Sequence, residues 1–301
     1  MVQRVGFVGV GIMGEGMAAN LLKAGFQVTV AAHRNREPVE RLLAAGAREA
    51  DSIAAVARDA EVVVTCVPND AVVEEVLLGE GGVAEGAPQE LIVVDTSTIS
   101  PLTSQRLAGA LAERGITMLD APISGGQAGA AAGTLAIMVG GPREAFEQVR
   151  AVLDAMGKSI TYVGDNGSAL AVKLVNNLIV ASTLVAVSEG FTMAAKAGVD
   201  PAVIQQVLAG ATARSYVVQD KVPNSILKGN LQPGFKLELM HKDMGLALDF
   251  GKALKVPMFD TALVHQLFTQ ALGMGKGDLD CIAVSELYTE ATGVSLKARE
   301  A

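Results

Sequence analysis

The stretch Ser168–Ala197, SALAVKLVNNLIVASTLVAVSEGFTMAAKA, constrains the fold more than any other. It holds no proline, and its only interior glycine is Gly190. Apolar residues dominate, so the pattern predicts a helix buried over most of its surface rather than a one-sided surface helix. Roughly 30 residues at about 1.5 Å each make a rod of about 45 Å. That exceeds the width of a domain of about 150 residues, so the rod is expected to join two domains. Asp165, Asn166 and Ser168 stand before it and offer N-cap oxygens. Lys173, Asn176 and Asn177 lie in its first turns. Lys173 and Asn177 are four apart and share a face. Unpaired buried polar groups are costly, so these residues need a reason. An interhelical hydrogen bond or a snorkelling lysine is one; a catalytic lysine with an amide partner is the other.

The N-terminus narrows the fold further. Arg4–Val10 (RVGFVGV) reads as a buried parallel strand. Gly9-x-Gly11-x-x-Gly14 follows at once, and MAANLLKAG then reads as a helix ending at Gly25. In a dinucleotide-binding fingerprint the first glycine makes the tight turn. The second lets the pyrophosphate approach the backbone, and the third lets helix and strand pack closely. The helix N-terminus offers N–H groups and a positive dipole end to the phosphates. Gln27–Ala32 is the second strand, after which an NAD site expects an acid for the ribose hydroxyls. Here the sequence runs His33-Arg34-Asn35-Arg36, and the first acid is Glu37. Two arginines without a carboxylate suit the 2′-phosphate of NADP, although the same residues also fit a solvated loop.

Further strands are expected at 61–67, 91–95, 117–120, 135–139 and 159–163, with helices at 38–45, 72–78, 103–114 and 143–156. This alternation predicts an open, mostly parallel sheet. Pro68-Asn69 and Thr96-Ser97-Thr98 fall at strand carboxyl ends, where such a sheet holds its ligand. Ser124-Gly125-Gly126 can form a nest of backbone N–H groups for a carboxylate, or an ordinary turn. Beyond the rod, strand signals nearly vanish. Helices are expected at 201–208 (Asp200 as cap), 222–228 (interrupted at Pro223), 237–255, 260–272 and 282–292. The expected architecture is α/β: a doubly wound parallel sheet over residues 1–166, then an all-helical domain over 167–301 that opens with the long helix.

The 301 residues carry a net charge of −8, which argues against sequence-independent nucleic-acid binding. Only two cysteines, Cys66 and Cys281, are present, too few for a disulfide framework, and Cys66 reads as core. His33, His241 and His265 are scattered and form no ligand set, so no metal is expected. The N-terminus lacks a signal-peptide pattern, and Asn176, Asn177 and Glu189 argue against a membrane span, so a cytoplasmic protein is expected.

Six stretches carry a resemblance to the β-hydroxyacid dehydrogenase family, which includes 3-hydroxyisobutyrate dehydrogenases and tartronate semialdehyde reductases. They are GFVGVGIMGEGMAANL at the start, DTSTISP at 95–101, DAPISGG at 120–126, GTLAIMVGG at 133–141, KLVNN at 173–177 and FKLELMHKDMGLALD at 235–249. The similarity runs from Gly6 to about Gly293. ARSYVVQDK at 213–221 and ATGVSL at 291–296 most resemble the hydroxymethylglutarate-oxidising branch. The resemblance implies a Rossmann domain and gives roles to residues. Lys173 matches the catalytic lysine and Asn177 the amide beside it that contacts substrate. Ser124, Gly125 and Gly126 match the loop that binds the substrate carboxylate, and Lys242, next to Asp243, a lysine near the nicotinamide that also serves the substrate. Gly9, Gly11, Ile12, Met13, Gly14, Val67, Pro68, Asn69, Thr98 and Phe235 match cofactor positions. His33, Arg34 and Asn35 replace the acid of NAD-preferring members and are similar to an Asn-Arg-Thr version in members that use NADP.

The chemistry suits these residue types. Oxidising an alcohol by hydride loss requires removal of the hydroxyl proton, and reduction requires its return. A lysine serves both directions where desolvation or a neighbouring cation such as Lys242 lowers its pKa. Asn177 can hold the same oxygen. The implied partners are NADP, preferred over NAD, and a small-molecule carboxylate, a short 3-hydroxy acid or its semialdehyde. A homodimer or homotetramer is expected, because few helices of the second domain are simply amphipathic. A larger dicarboxylic substrate, with Arg214 as a second anchor, and a catalytically silent dinucleotide-binding protein remain the alternatives.

Overall fold

A computed structural model describes residues 2–32 and 35–299. The chain forms two compact units, which divide between Lys173 and Leu174. Among the described residues the first contains nine strands: β1 (Arg4–Val8), β2 (Gln27–Ala31), β3 (Arg48–Ala50), β4 (Val62–Thr65), β5 (Ile92–Asp95), β6 (Thr117–Asp120), β7 (Ile123–Ser124), β8 (Leu135–Gly140) and β9 (Gly157–Gly164). Their order begins β3-β2-β1-β4-β5-β6, all parallel, which is the doubly wound Rossmann order. β8 then runs antiparallel to β6 and β7 and parallel to β9. Val5, Phe7, Val62, Val64 and Val94 are buried, as expected of strands covered on both faces.

The alternation is therefore as the sequence reads, with short elements added. β3, β7 and the helices Ile53–Arg58, Val83–Gly86 and Gly126–Ala132 contain too few residues to show a period. The helix expected over 143–156 is broken at Val149 into Arg143–Gln148 and Arg150–Met156. Cys66, read as core, is only half-buried, packed at the edge of the sheet's core.

The long helix is continuous over Ser168–Lys196. Its expected local caps act otherwise. Ser168 Oγ donates to the Asp165 carbonyl, and Asn166 Nδ2 donates to the Met118 carbonyl. The carboxylate that accepts the first-turn amides is Asp120, from the end of β6. The helix is long and apolar enough to cross a bilayer by length and composition alone. Its Ala181, Leu184, Val185 and Phe191, however, are buried in the core of the second unit.

That unit is helical, with Pro201–Gly210, Leu237–Ala253, Phe259–Gly273 and Glu286–Thr292 as its further regular α-helices. Asp200 caps the first of them by accepting from Ala202 N. The stretch expected as a helix interrupted at Pro223 is a wide π-turn over Val217–Lys221, a short turn carrying Pro223, and a 3₁₀ turn over Ile226–Lys228. Proline lacks the N–H that a regular helix would use there, so the backbone loosens around it.

A Cβ on Gly14 would fall 2.0 Å from the Gly9 carbonyl oxygen and 3.0 Å from Phe7, whereas one on Gly11 would meet nothing within 4 Å. Gly14→Ala is therefore expected to cost about 2–4 kcal/mol in urea unfolding, and Gly11→Ala less than about 0.5 kcal/mol.

Candidate active site

In the first unit, the glycine turn lies at the carboxyl end of β1, between β2 and β4, where the strand order reverses. Gly9 adopts φ +96°, and a Cβ there would strike the Cys66 carbonyl, so only glycine fits this turn. Gly11 and Ile12 are exposed, Met13 half-buried and Gly14 buried. The helix Gly14–Lys23 has no side-chain cap at its start; Glu15 N donates to the Gly11 carbonyl at 3.0 Å and Met17 N to the Met13 carbonyl at 3.3 Å. Open space above Gly11 and a helix start without a side-chain cap are features a pyrophosphate site uses.

The neighbouring strand ends complete this rim. Asn69 caps the helix Asp70–Leu78 by accepting from Val72 N at 3.0 Å, so it has a structural duty in addition to any ligand contact. Val67 N donates to Ser97 Oγ at 2.9 Å, and Thr96 Oγ1 donates to the Thr65 carbonyl at 2.7 Å. These bonds tie the segments carrying Pro68 and Thr98 to each other. His33 and Arg34 lie outside the described residues. Asn35 Oδ1 accepts from Glu37 N at 3.1 Å. Arg36 forms a two-pronged pair with Glu49 of β3, at 3.0 and 3.1 Å. The sequence showed two arginines and no acid, but the fold brings an acid to one of them.

Ser124 ends β7, and Gly126 opens the helix Gly126–Ala132, so this segment is a strand-to-helix junction rather than a free loop. Gly125 and Gly126 adopt φ +133° and +62°, and the helix they precede has no side-chain cap. The junction is anchored to the glycine turn's own helix. Asn20 Nδ2 donates to the Ala130 carbonyl at 2.8 Å, and a Cβ on Gly16 would lie 2.8 Å from the Ala130 backbone.

Lys173 and Asn177 are one turn apart on the long helix, with exposures of 7% and 4%. Within the second unit, Asn177 Nδ2 donates to Asp243 Oδ2 at 2.5 Å, and its Oδ1 accepts from Asn176 Nδ2 at 2.9 Å. Lys242 Nζ stands 3.1 Å from Asp243 Oδ1. Phe235 is held through its amide, which donates to the buried Asp280 at 3.1 Å; Asp280 also accepts from Gly234 N and pairs with Lys221 at 2.6 Å. His241 and His265, 24 apart in sequence, stack with ring centroids 4.2 Å apart.

Two acids were passed over in the sequence because they end apolar strands. Asp95 and Asp120 are register partners at the ends of β5 and β6, both fully buried. Asp95 Oδ1 accepts from Thr65 Oγ1 at 2.7 Å and Ser97 N at 3.1 Å, while among the described residues no group hydrogen-bonds its Oδ2. Burial pushes the Asp95 carboxyl up to about 6, with the Asp120 charge adding to the rise. Burial also raises Asp120, against the pull of the Gly167 and Leu170 amides.

A doubly wound sheet with an uncapped glycine turn at its switch point, joined by a continuous helix to an all-helical unit, defines a dinucleotide-dependent oxidoreductase. Residues 4–164 match the family model for the NAD-binding domain of 6-phosphogluconate dehydrogenase, and residues 167–288 that for the NAD-binding region of NADP-dependent 3-hydroxyisobutyrate dehydrogenase. The chain is 40% identical over 294 residues to 2-(hydroxymethyl)glutarate dehydrogenase of Eubacterium barkeri, covering 97% of each. It is 40% identical over 278 residues to 2-hydroxy-3-oxopropionate reductase of Escherichia coli, covering 92% of this chain and 94% of the relative. A Mycobacterium tuberculosis 3-hydroxyisobutyrate dehydrogenase solved with L-serine superposes with a TM-score of 0.87 at 31% identity, covering 95% of this chain and 99% of that one. The chain belongs to the β-hydroxyacid dehydrogenase family.

The sign of the Asp95 effect is fixed by its elevated carboxyl. Its unfolded value is 3.8 and its folded value about 6, so the folded chain binds the proton more tightly, and stability falls as pH rises through that window. The stability difference between Asp95→Asn and wild type should therefore move in the variant's favour by about 2 kcal/mol between pH 4 and pH 7. Urea unfolding of both chains across that range measures it.

Proposed function

We propose that this chain transfers a hydride between NADP(H) and a short 3-hydroxy acid or its semialdehyde, with Lys173 as the general acid and base. The observation that carries this reading is the buried lysine and amide, one turn apart, in the first turns of a largely apolar helix. A buried ammonium or amine is expensive without a task or partner. The proposed organisation is a dinucleotide domain over residues 1–166 and a helical domain over 167–301.

The dinucleotide, when bound, supplies the hydride acceptor for oxidation or the donor for reduction. The turn built by Gly9, Gly11 and Gly14 would take its pyrophosphate, with Gly11 giving the close approach, and Arg34 would meet its 2′-phosphate. The Ser124–Gly126 junction would take the substrate carboxylate, which fixes the carbinol carbon and so supplies rate through orientation. Lys173 Nζ would accept the hydroxyl proton as the C–H pair leaves, and would return it to the carbonyl oxygen in reduction. Asn177, steered by Asp243 and so by Lys242, would donate an N–H to that same oxygen. L-serine, bound to a relative, is itself a 3-hydroxy acid, which supports this substrate class.

The identity to a dehydrogenase of a branched diacid supports a larger dicarboxylic substrate as a second reading, with the exposed Arg214 meeting the distal carboxylate. We also propose a homodimer or homotetramer. Val175 and Ile179 of the long helix are 55% and 56% exposed, and Phe259 and Leu263 are 86% and 62% exposed. These two helices are tied together by a Ser182–Asp260 hydrogen bond, so the four side chains belong to linked surfaces.

Lys173→Ala should lower kcat by about 10³-fold while leaving NADPH affinity unchanged within about twofold, as fluorescence titration would measure. Undiminished turnover would remove the assigned role. Arg34→Ala should raise KM for NADPH by roughly 10- to 100-fold and KM for NADH by less than about threefold, the loss of one charge-assisted phosphate contact. Equal changes with both cofactors would refute the 2′-phosphate contact.

A further inference from the structure

We infer that Asp120 is a positioning residue that sets the register of the long helix, and thereby where Lys173 stands relative to the Ser124–Gly126 junction. This rests on the reading of Lys173 given above. Asp120 Oδ1 accepts from Gly167 N at 2.8 Å, and Oδ2 from Leu170 N at 3.4 Å. Asn166 Nδ2 and Ser104 Oγ approach Oδ1 at 3.4 Å. One carboxylate thus spans the residue before the helix and its first turn, and Lys173 follows Leu170 by three residues. Each helical residue turns the face by about 100°, so a slip of one residue at this end would carry Lys173 off its face.

The surroundings show that the contact is built. A Cβ on Gly140 would lie 2.8 Å from Asp120 Oδ2. Gly167, whose N–H meets the carboxylate, adopts φ +88°, and a Cβ there would lie 2.9 Å from the Pro101 carbonyl. Gly141, at φ +128°, has no room for a Cβ beside Leu119 and Asn166. Gly140 leaves the space the carboxylate occupies, and Gly141 and Gly167 let the backbone beside it pack against Leu119, Asn166 and Pro101. A local cap would have avoided burying that charge, and Ser168 stands where one would serve, yet its hydroxyl donates to Asp165 instead. A cap from β6 does what a local cap cannot. Asp120 also begins the segment that reaches Ser124 four residues later, so the strand end that carries the helix's acceptor leads directly into the junction.

The test is a double-mutant cycle in the full chain. Asp120→Asn keeps the shape but cannot accept from both amides. In the Lys173 chain it should lower kcat by at least about tenfold, with KM for NADPH unchanged within about twofold. In the Lys173→Ala chain, with turnover restored by added methylamine, it should lower the rate less than about twofold, because a diffusing amine needs no helix register. Equal losses in both backgrounds would overturn the proposal and make Asp120 merely structural. Undiminished turnover of Lys173→Ala itself would overturn the parent reading, and this proposal with it. Asn166→Ala, which keeps the carboxylate and removes one donor, guards against failure of Asp120→Asn to fold. It should give a loss of roughly threefold that likewise disappears in the Lys173→Ala background, and a loss of equal size in both backgrounds would count against the proposal.

Discussion

The close approach of Gly14 to the Gly9 carbonyl is the constraint on which the first unit depends. It draws the helix Gly14–Lys23 down onto the sheet so that the helix starts at the switch point. The same helix then receives the Gly126–Ala132 helix through Gly16 and Asn20. The candidate cofactor cradle and the candidate carboxylate junction are thus two ends of one packed set. A side chain at Gly14 or Gly16 would push on backbone, which cannot yield as a flexible side chain can.

The sequence made the regular parts of this legible because they carry a period. The apolar runs at 4–10, 61–67 and 91–95 fell on β1, β4 and β5 to within two residues at each end. The long helix was legible to a single residue at its end. Short elements such as β3, β7 and Gly126–Ala132 hold fewer residues than a period needs to show itself. The capping of the long helix was illegible for a different reason. Local spacing pointed to Asp165, Asn166 and Ser168, but the acceptor lies 47 residues away from Gly167 on another strand. The Asn177–Asp243 bond, 66 residues apart, is likewise invisible to spacing, although Asp243 stood inside a recognised stretch.

Buried polar groups divide the two units by the way they are satisfied. In the first unit, Asp95 and Asp120 end adjacent strands and draw on backbone amides and hydroxyls. In the second, Asn177, Asp243 and Lys242 form a chain of side chains, and Asp280 is met by both backbone amides and Lys221. A chain of side chains passes a displacement along, because moving one member unpairs the next. Asn177 is therefore held by the Leu237–Ala253 helix as firmly as by its own.

The acidic balance of the chain bears on how it would take an anionic cofactor and an anionic substrate. Many of its cations are already engaged: Arg36 with Glu49, Arg41 with Glu15, Arg106 with Glu74 and Lys276 with Glu286. With a net charge of −8, long-range attraction cannot gather anions. Recognition must be short-range, through backbone N–H groups at glycine turns and a few well-placed cations. That is a reason for glycines to cluster at the ends of β1 and β7. It also places the selective burden on geometry, since amides held at a fixed spacing discriminate by shape where a diffuse positive surface would bind any anion.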